Sequence, residues 1–211
     1  MRPTEPRRPA LAARDLYKNY GRRAVLRGAR FEAWPGELVA VLGENGGGKS
    51  TLLRILAGTM RADRGSVVRG GAMGYCPQDC LLYPHLTPDE HLALFGRGYG
   101  LTPATTRVRA DALAGTFGFE RDRGRVVNEL SGGTRQKVSL SIALLHDPPV
   151  LLLDEPYAGF DVETYERFVA YSREATSRGV CIVLVTHIAF ERDRFDQRLH
   201  LREGILHAET R

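Results

Sequence analysis

Residues 43–51 of the chain read Gly43-Glu44-Asn45-Gly46-Gly47-Gly48-Lys49-Ser50-Thr51. An apolar run at residues 38–42 precedes them, and a helical pattern follows from Leu52. Strand, glycine-rich loop and helix in this order are the pattern of a phosphate-binding loop, or P-loop. Glycines let backbone N–H groups approach an anion, and the N-terminus of the following helix adds the positive end of its dipole. The sequence therefore predicts a site for a polyphosphate.

Side chains of the P-loop indicate what the ligand is. Lys49 would reach the β- and γ-phosphates of a nucleotide, and the Ser50 hydroxyl would be a ligand of Mg²⁺, which prefers oxygen. Thr51 supplies a second hydroxyl nearby. The motif alone predicts nucleotide binding and no more, because kinases, GTPases, motors and transport ATPases all use it.

Length and composition indicate a globular chain. It has 211 residues, of which 43% are hydrophobic, so it can bury a large core in one domain. We expect a disordered tail at residues 1–10, which are rich in Pro and Arg, and a single domain at residues 11–211. No apolar stretch approaches the roughly 20 residues that span a bilayer, and the first 13 residues lack the apolar core of a signal peptide. The expectation is a protein that is neither exported nor membrane-spanning by itself.

Charge and cysteine content narrow the classes of partner. The net charge of +5 could suggest nucleic acid, but the arginines are scattered along the chain, which argues against that reading. The three cysteines have no zinc-like spacing, and Cys76 and Cys80 are expected to be reduced thiols in the core or at a strand end.

Further along, predicted strands and helices alternate. Residues 11–17, 25–34 and 37–42 are predicted as strands of an antiparallel-looking opening section. Two short strands follow the P-loop helix, at residues 66–69 and 72–76. Helical periods at residues 88–117, interrupted by glycines and Pro103, predict part of a helical subdomain at about residues 79–146. The remaining predicted elements are a helix at 131–146, a strand at 150–153, a helix at 162–177 and a strand at 180–185.

Carboxylates follow one of the buried strands. Asp154 and Glu155 come directly after residues 150–153, which are apolar on both faces, as in a central parallel strand. The carboxyl end of such a strand is where an α/β sheet places its ligand chemistry. Asp154 would hold Mg²⁺, directly or through water, and Glu155 would polarise the water that attacks the γ-phosphate. The alternative is that both residues only cap the following turn. His187 follows the strand at 180–185 and is expected at the same edge, or is an ordinary strand-end histidine.

A second motif gives the family. Residues 130–137, LSGGTRQK, resemble the signature motif of the ABC ATPases. The P-loop, Gln78, Asp154-Glu155, the run at residues 159–161 and His187 follow in the order of that family, so the resemblance covers about residues 11–203. It implies an α/β fold: a P-loop NTPase core with a mixed sheet, a flanking antiparallel β subdomain and an inserted α-helical subdomain.

The resemblance also implies roles for single residues. Tyr20 would stack on adenine, although it could be merely an exposed aromatic. Gln78 would sense Mg²⁺ and the attacking water, unless it only caps a turn. His187 would contact the γ-phosphate, and Asp161 would communicate between the halves of a dimer. The signature would bind the ATP held by the opposite protomer through Ser131, Gly132, Gly133 and Thr134.

The implied function is that of the ATP-binding and ATP-hydrolysing subunit of an ABC transporter, with ATP and Mg²⁺ as cofactors. Two such chains, or this chain and a related ATPase subunit, would close around ATP and drive a separate permease from the cytoplasmic face of the membrane. Residues 83–92 and 95–101 resemble exporter subunits, which favours export. An apolar segment at residues 79–86 is the expected permease contact, unless Leu81, Leu82 and Leu86 pack into the core of the helical subdomain instead. The alternatives are a non-transport ABC ATPase acting on nucleic acid or ribosomes, and a small-molecule kinase.

Several positions depart from the commonest family pattern. They are Glu44, Gly47, Thr134, Tyr157 and Phe160. None removes a catalytic group, but Glu44 brings a negative charge close to the expected phosphates.

Overall fold

A computed structural model describes residues 8–186 and 194–209 of the chain. The strands are β1 Leu11–Tyr20, β2 Arg23–Ala33, β3 Leu38–Leu42, β4 Arg64–Arg69, β5 Met73–Cys76, β6 Val150–Asp154, β7 Cys181–Val185, β8 Gln197–Arg202 and β9 Ile205–Ala208. The helices are α1 Lys49–Ala57, α2 Pro88–Gly98, α3 Pro103–Phe117, α4 Gly132–Leu144 and α5 Val162–Ser177, with short 3₁₀ turns at Glu120–Asp122 and Val127–Glu129. Among the described residues, no helix is both long and apolar enough to cross a bilayer.

The larger sheet is mixed and has the strand order β5-β6-β7-β3-β8-β9. All neighbouring strands are parallel except β8 and β9, which form an antiparallel hairpin. Every residue of β6 and β7 is buried, as expected for central strands with helices on both faces. The sequence placed residues 37–42 in the antiparallel opening section. That was wrong, because β3 pairs in parallel with β7 and β8.

The smaller sheet is antiparallel, in the order β2-β1-β4. The β1–β2 hairpin closes through a two-residue turn at Gly21 and Arg22. The buried faces of β1 and β2 share one hydrophobic core with α1 and the mixed sheet; this core includes Leu16, Phe31 and Leu53. The small sheet is thus fixed to the P-loop helix by a continuous apolar layer.

The helices α2, α3 and α4 correspond to the predicted helical subdomain. They share a second core with the mixed sheet and α5, and this core contains Leu92, Phe117 and Leu151. Thr87 starts α2 with a capping box: its hydroxyl accepts from the Glu90 N–H, and the Glu90 carboxylate accepts from the Thr87 N–H at 2.8 Å. The residues 88–117, for which the sequence predicted interrupted helical periods, form the two helices α2 and α3. Gly96 does not interrupt the first of them but lies buried within α2.

The β8–β9 hairpin was not predicted from the sequence. In β8 only Leu199 and Leu201 are buried, and the other side chains are polar. Glu209 accepts from Arg198 and from His200, both at 3.0 Å, and ties the strand to the end of the described chain. This hairpin covers the edge of β3 that would otherwise be open.

The crossing of α2 and α3 gives a stability prediction. A Cβ atom at Gly96 would lie 2.4 Å from Thr106 Oγ1 and 3.1 Å from Thr106 Cβ on α3. Overpacking costs about 1–3 kcal/mol, and the better helix propensity of alanine returns about 1 kcal/mol. We expect Gly96→Ala to lower the free energy of unfolding by up to about 2 kcal/mol in urea titrations followed by circular dichroism.

Gly98 is the matched control in the same helix. No atom lies within 4 Å of a Cβ built there. Gly98→Ala is expected to leave stability unchanged or to raise it by up to about 1 kcal/mol. Equal destabilisation by both variants would show that the close crossing is not the cause.

Candidate active site

A cavity of about 280 Å³ opens at the edge of the mixed sheet where β3, β5 and β6 end. It brings together most of the residues that the sequence singled out. Its lining consists of Tyr20, Arg23, Val25, Asn45, Gly46, Gly48, Lys49, Ser50, Thr51, Gln78, Asp154 and Glu155. Gly43, Glu44 and Gly47 belong to the same loop but are not part of this lining. A larger cleft of about 520 Å³ lies in the helical subdomain and contains none of these residues.

The P-loop is fixed by close backbone contacts at both ends. Gly48 caps α1 with φ 102°, and a Cβ there would lie 2.6 Å from Val25 Cγ1 on β2. A Cβ at Gly43 would lie 2.6 Å from the Leu201 carbonyl oxygen on β8. The loop therefore needs glycine at these two positions, since any side chain would collide with a neighbouring strand.

Lys49 is buried with its charged end inside the loop. Its side chain is 5% exposed, and Nζ donates to the carbonyl oxygens of Gly43 and Glu44, both at 2.8 Å. An ammonium group has three donors, so one remains for a ligand in the cavity. Burial lowers the pKa of Lys49, and the charges of Glu155 and Asp154 oppose that shift. Glu44 itself is exposed and does not line the cavity, and its carbonyl oxygen is the atom that contacts Lys49.

Asp154 is the residue that best fits a cation. It is 1% exposed, and neither carboxylate oxygen has a hydrogen-bond partner among the described residues. Burial raises the pKa of Asp154 and the charge of Glu155 raises it further, while the charge of Lys49 opposes the rise. A buried carboxylate without a donor is costly unless a cation compensates it. With the Ser50 hydroxyl lining the same cavity, the donor set suits Mg²⁺, which takes oxygen ligands.

Glu155 is held through its backbone. It has a left-handed conformation, φ 49°, and its N–H donates to the Val185 carbonyl at 3.1 Å, which fixes it to the end of β7. Its carbonyl accepts from the Ala158 N–H at 3.1 Å and from Gln136 Nε2 at 3.5 Å. Gln78 lies two residues beyond β5 and lines the same cavity. The predicted base and the predicted sensor of the water therefore face one space.

The β1–β2 hairpin supplies the opposite wall. Tyr20 is 47% exposed, and its hydroxyl donates to Met60 Sδ at 3.3 Å. Arg23 and Val25 also line the cavity, and the sequence did not single them out. A signal was available, because residues on both sides of a two-residue turn are direct cross-strand neighbours and share a face. Arg23 is the partner of Tyr20 in this sense.

The signature residues lie outside this cavity, at the N-terminus of α4. The Ser131 hydroxyl accepts from the Thr134 N–H at 3.1 Å and lies 2.9 Å from the Thr134 hydroxyl. Ser131 and Gly132 are exposed. Gly133 lies against Gly159: a Cβ at Gly133 would be 2.3 Å from the Gly159 carbonyl oxygen. The helix thus presents its positive end away from the protomer's own P-loop cavity.

Asp161 is the N-cap of α5. Its carboxylate accepts from the Thr164 N–H at 2.7 Å and pairs with Lys137 Nζ at 3.4 Å. The hydrogen bonds from Thr164 lower the pKa of Asp161 to about 2, and Lys137 contributes. The residue predicted to communicate between protomers is therefore ionised and connects α5 with the signature helix.

His187 lies outside the described residues. The residue before it, Thr186, is buried, and its hydroxyl bonds that of Tyr157. The Tyr157 ring packs edge-on against Tyr165 of α5, with ring centres 5.4 Å apart. Tyr157 thus links the turn that carries Glu155 to the end of β7.

Comparison with known proteins gives the family of the chain. A family model described as ABC transporter matches residues 26–158. The Nod factor export ATP-binding protein I of Paraburkholderia xenovorans strain LB400 is 35% identical over 86% of this chain. The match covers 64% of that relative, and the chain spans less than two-thirds of the length of the first curated relatives it matches.

Solved structures agree with this result. The ATP-binding subunit of an ABC transporter is 32% identical, with a TM-score of 0.88 over 95% of this chain and 90% of the other. A bacterial ABC transporter cassette, solved as a dimer, is 25% identical, with a TM-score of 0.86 over 95% of this chain and 98% of the other. These likenesses confirm the fold class expected from the sequence. The chain therefore belongs to the ABC transporter family.

Proposed function

We propose that this chain is the ATP-binding and ATP-hydrolysing subunit of a membrane transporter whose permease is a separate polypeptide. The observation that carries the proposal is the convergence of the P-loop, Gln78, Asp154 and Glu155 on one cavity. The N-terminus of the signature helix is exposed elsewhere on the surface. Such a protomer holds a nucleotide on one face and offers a second phosphate-binding end on another.

Different residues of the cavity serve nucleotide binding and hydrolysis. The P-loop N–H groups and the free donor of Lys49 bind the phosphates, and Tyr20 stacks on the adenine. Asp154 and Ser50 would hold Mg²⁺, and the ion would neutralise negative charge on the phosphates. Glu155 accepts the proton of the attacking water, and Gln78 orients that water. By the family resemblance, His187 would contact the γ-phosphate.

The protein acts as a dimer that encloses ATP. The support is the exposed N-terminus of α4, whose hydroxyl and N–H groups suit a γ-phosphate, together with a solved relative that is itself dimeric. Ser131, Gly132, Gly133 and Thr134 of one protomer bind the nucleotide held by its partner. ATP binding closes the dimer, and loss of the shared anion after hydrolysis opens it again. Two copies of this chain, or this chain and a related subunit, form the pair.

The permease lies in the membrane, and this subunit binds its cytoplasmic face. Export is the favoured direction, because the relative from Paraburkholderia is named for export. The segment after Gln78 supports a docking surface: Leu81 is 78% exposed and Tyr83 is 57% exposed. Leu82, in contrast, packs on the core of the helical subdomain. A non-transport ABC ATPase acting on nucleic acid or ribosomes is the alternative, and stimulation of hydrolysis by DNA or RNA would favour it.

Lys49→Ala tests phosphate binding. The variant removes the charge that faces the β- and γ-phosphates and both hydrogen bonds to the loop carbonyls. We expect no measurable ATP hydrolysis and an ATP affinity at least about tenfold weaker by isothermal titration calorimetry. Lys18→Ala is the control, because Lys18 pairs with Asp63 and does not line the cavity. Full activity of Lys49→Ala would remove the P-loop from the mechanism.

Glu155→Gln separates binding from chemistry. The amide keeps the size of the side chain but cannot accept a proton, so turnover should fall by about 10²-fold or more while Mg-ATP binding survives. The variant should accumulate as an ATP-dependent dimer in size-exclusion chromatography. Glu203→Gln is the control: Glu203 shares the backbone conformation of Glu155, φ 49°, and lies in the β8–β9 turn. A monomer at saturating Mg-ATP would contradict the shared site of a homodimer.

Leu81→Asp with Tyr83→Asp tests the docking surface. Both side chains are exposed, so the double variant should fold and bind ATP normally. It should no longer sediment with the membrane fraction, and no integral membrane protein should co-purify with it. Ile205→Asp is the control on β9, at the opposite edge of the mixed sheet from β5. Unchanged membrane association of the double variant would place the contact elsewhere.

A further inference from the structure

The turn between β1 and β2 directs two side chains towards the nucleotide cavity. Tyr20 ends β1, Arg23 begins β2, and the two are direct cross-strand partners. Residues opposed in this way carry their side chains on the same face, with Cβ atoms about 4.5–5.5 Å apart. Both side chains line the cavity, whereas Arg22 in the turn does not. Arg23 is thus the immediate neighbour of the residue proposed for adenine.

Arg23 also reaches the P-loop. Its Nη2 donates to the Gly46 carbonyl oxygen at 2.9 Å. A guanidinium group has five N–H donors, so this bond leaves others for a ligand. The carbonyl carries no formal charge and does not neutralise the arginine. None of the ion pairs formed within residues 8–186 and 194–209 involves Arg23.

The charge balance of the cavity depends on Arg23. The lining contains two cations, Arg23 and Lys49, and two carboxylates, Asp154 and Glu155. Without Arg23, one cation would face two carboxylates before the negative charges of a nucleotide are added. Two of the three donors of that remaining cation already bind loop carbonyls. Polyphosphate binding therefore gains from a second cation with free donors.

We infer that Arg23 binds the phosphate nearest the ribose of the nucleotide held by the same protomer. The inference rests on the proposed function of the site. Tyr20 marks the adenine end and Lys49 marks the β- and γ-phosphate end. Arg23 is the cross-strand neighbour of Tyr20 in the hairpin, and it donates a hydrogen bond to Gly46 in the loop that precedes Lys49. It therefore lies between the adenine end and the β- and γ-phosphate end of the site. One guanidinium thus braces the P-loop at Gly46 and contacts the α-phosphate.

The test compares Arg23→Ala, Arg23→Lys and Arg22→Ala by measuring dissociation constants for Mg-ATP and Mg-ADP at several salt concentrations. Both nucleotides contain the α-phosphate, so Arg23→Ala should raise both dissociation constants by about tenfold or more. This is the effect expected for loss of one hydrogen bond from a charged group. Arg23→Lys keeps the charge and should recover part of that loss. Arg22→Ala removes an equal charge outside the cavity and should change either constant by less than about twofold. The salt dependence of binding should become shallower in Arg23→Ala only.

The assignment would be overturned by unchanged affinity in Arg23→Ala, by an equal loss in Arg22→Ala, or by a loss confined to ATP. The assignment would also fail if Arg23→Ala bound nucleotide more weakly but with an unchanged salt dependence. That result would mean that Arg23 only supports the P-loop through its hydrogen bond to Gly46. Lys49→Ala separates these failures from a failure of the proposed function. If Lys49→Ala loses ATP while Arg23→Ala binds it normally, only the role of Arg23 is wrong. If the unaltered chain binds no ATP, the proposed function is wrong.

Discussion

The parallel hydrogen bonding of β6, β7 and β3 is the constraint on which the site depends. Val185 at the end of β7 pairs with Asp154 on one side and with Val41 on the other. The three strands therefore end at one level, although β3 lies more than 100 residues before β6 and β7 in the sequence. Because parallel strands have the same direction, their carboxyl ends supply the P-loop, the carboxylates and Thr186 to one edge. A shift in either register would separate the lysine of the loop from the two acids.

The apolar strands and the motifs that follow them could be predicted from the sequence for a simple reason. A strand buried on both faces must be apolar throughout, and residues 150–153 and 180–185 have little else. Glycines at positions 43 and 48 are required by contacts with β8 and β2, so the loop has a recognisable composition. These signals are local, and they led to the fold class and family that the comparisons then showed. Domain limits and the roles of single residues stay predictions.

Other features depend on contacts between distant parts of the chain and escaped the sequence. The strand β8 has only two buried residues and pairs with β3, which lies more than 150 residues earlier. Arg23 is one of many arginines, and only the hairpin register places it beside Tyr20. Leu82 and Leu81 are adjacent and identical in type, yet one packs on the core and the other is exposed. Such differences arise from tertiary packing, which no local pattern encodes.

The contact of Gly133 with Gly159 has a mechanical consequence. Two backbones meet there with no side chain between them, so no flexible group can absorb a displacement. The loop after Glu155 and the start of α4 should therefore move as one stiff piece. In the proposed dimer, the base acts on the protomer's own ATP and α4 faces the partner's. A backbone displacement caused by hydrolysis of one ATP would then be passed directly to the residues that contact the other ATP. The two ATP sites would therefore be unable to act independently.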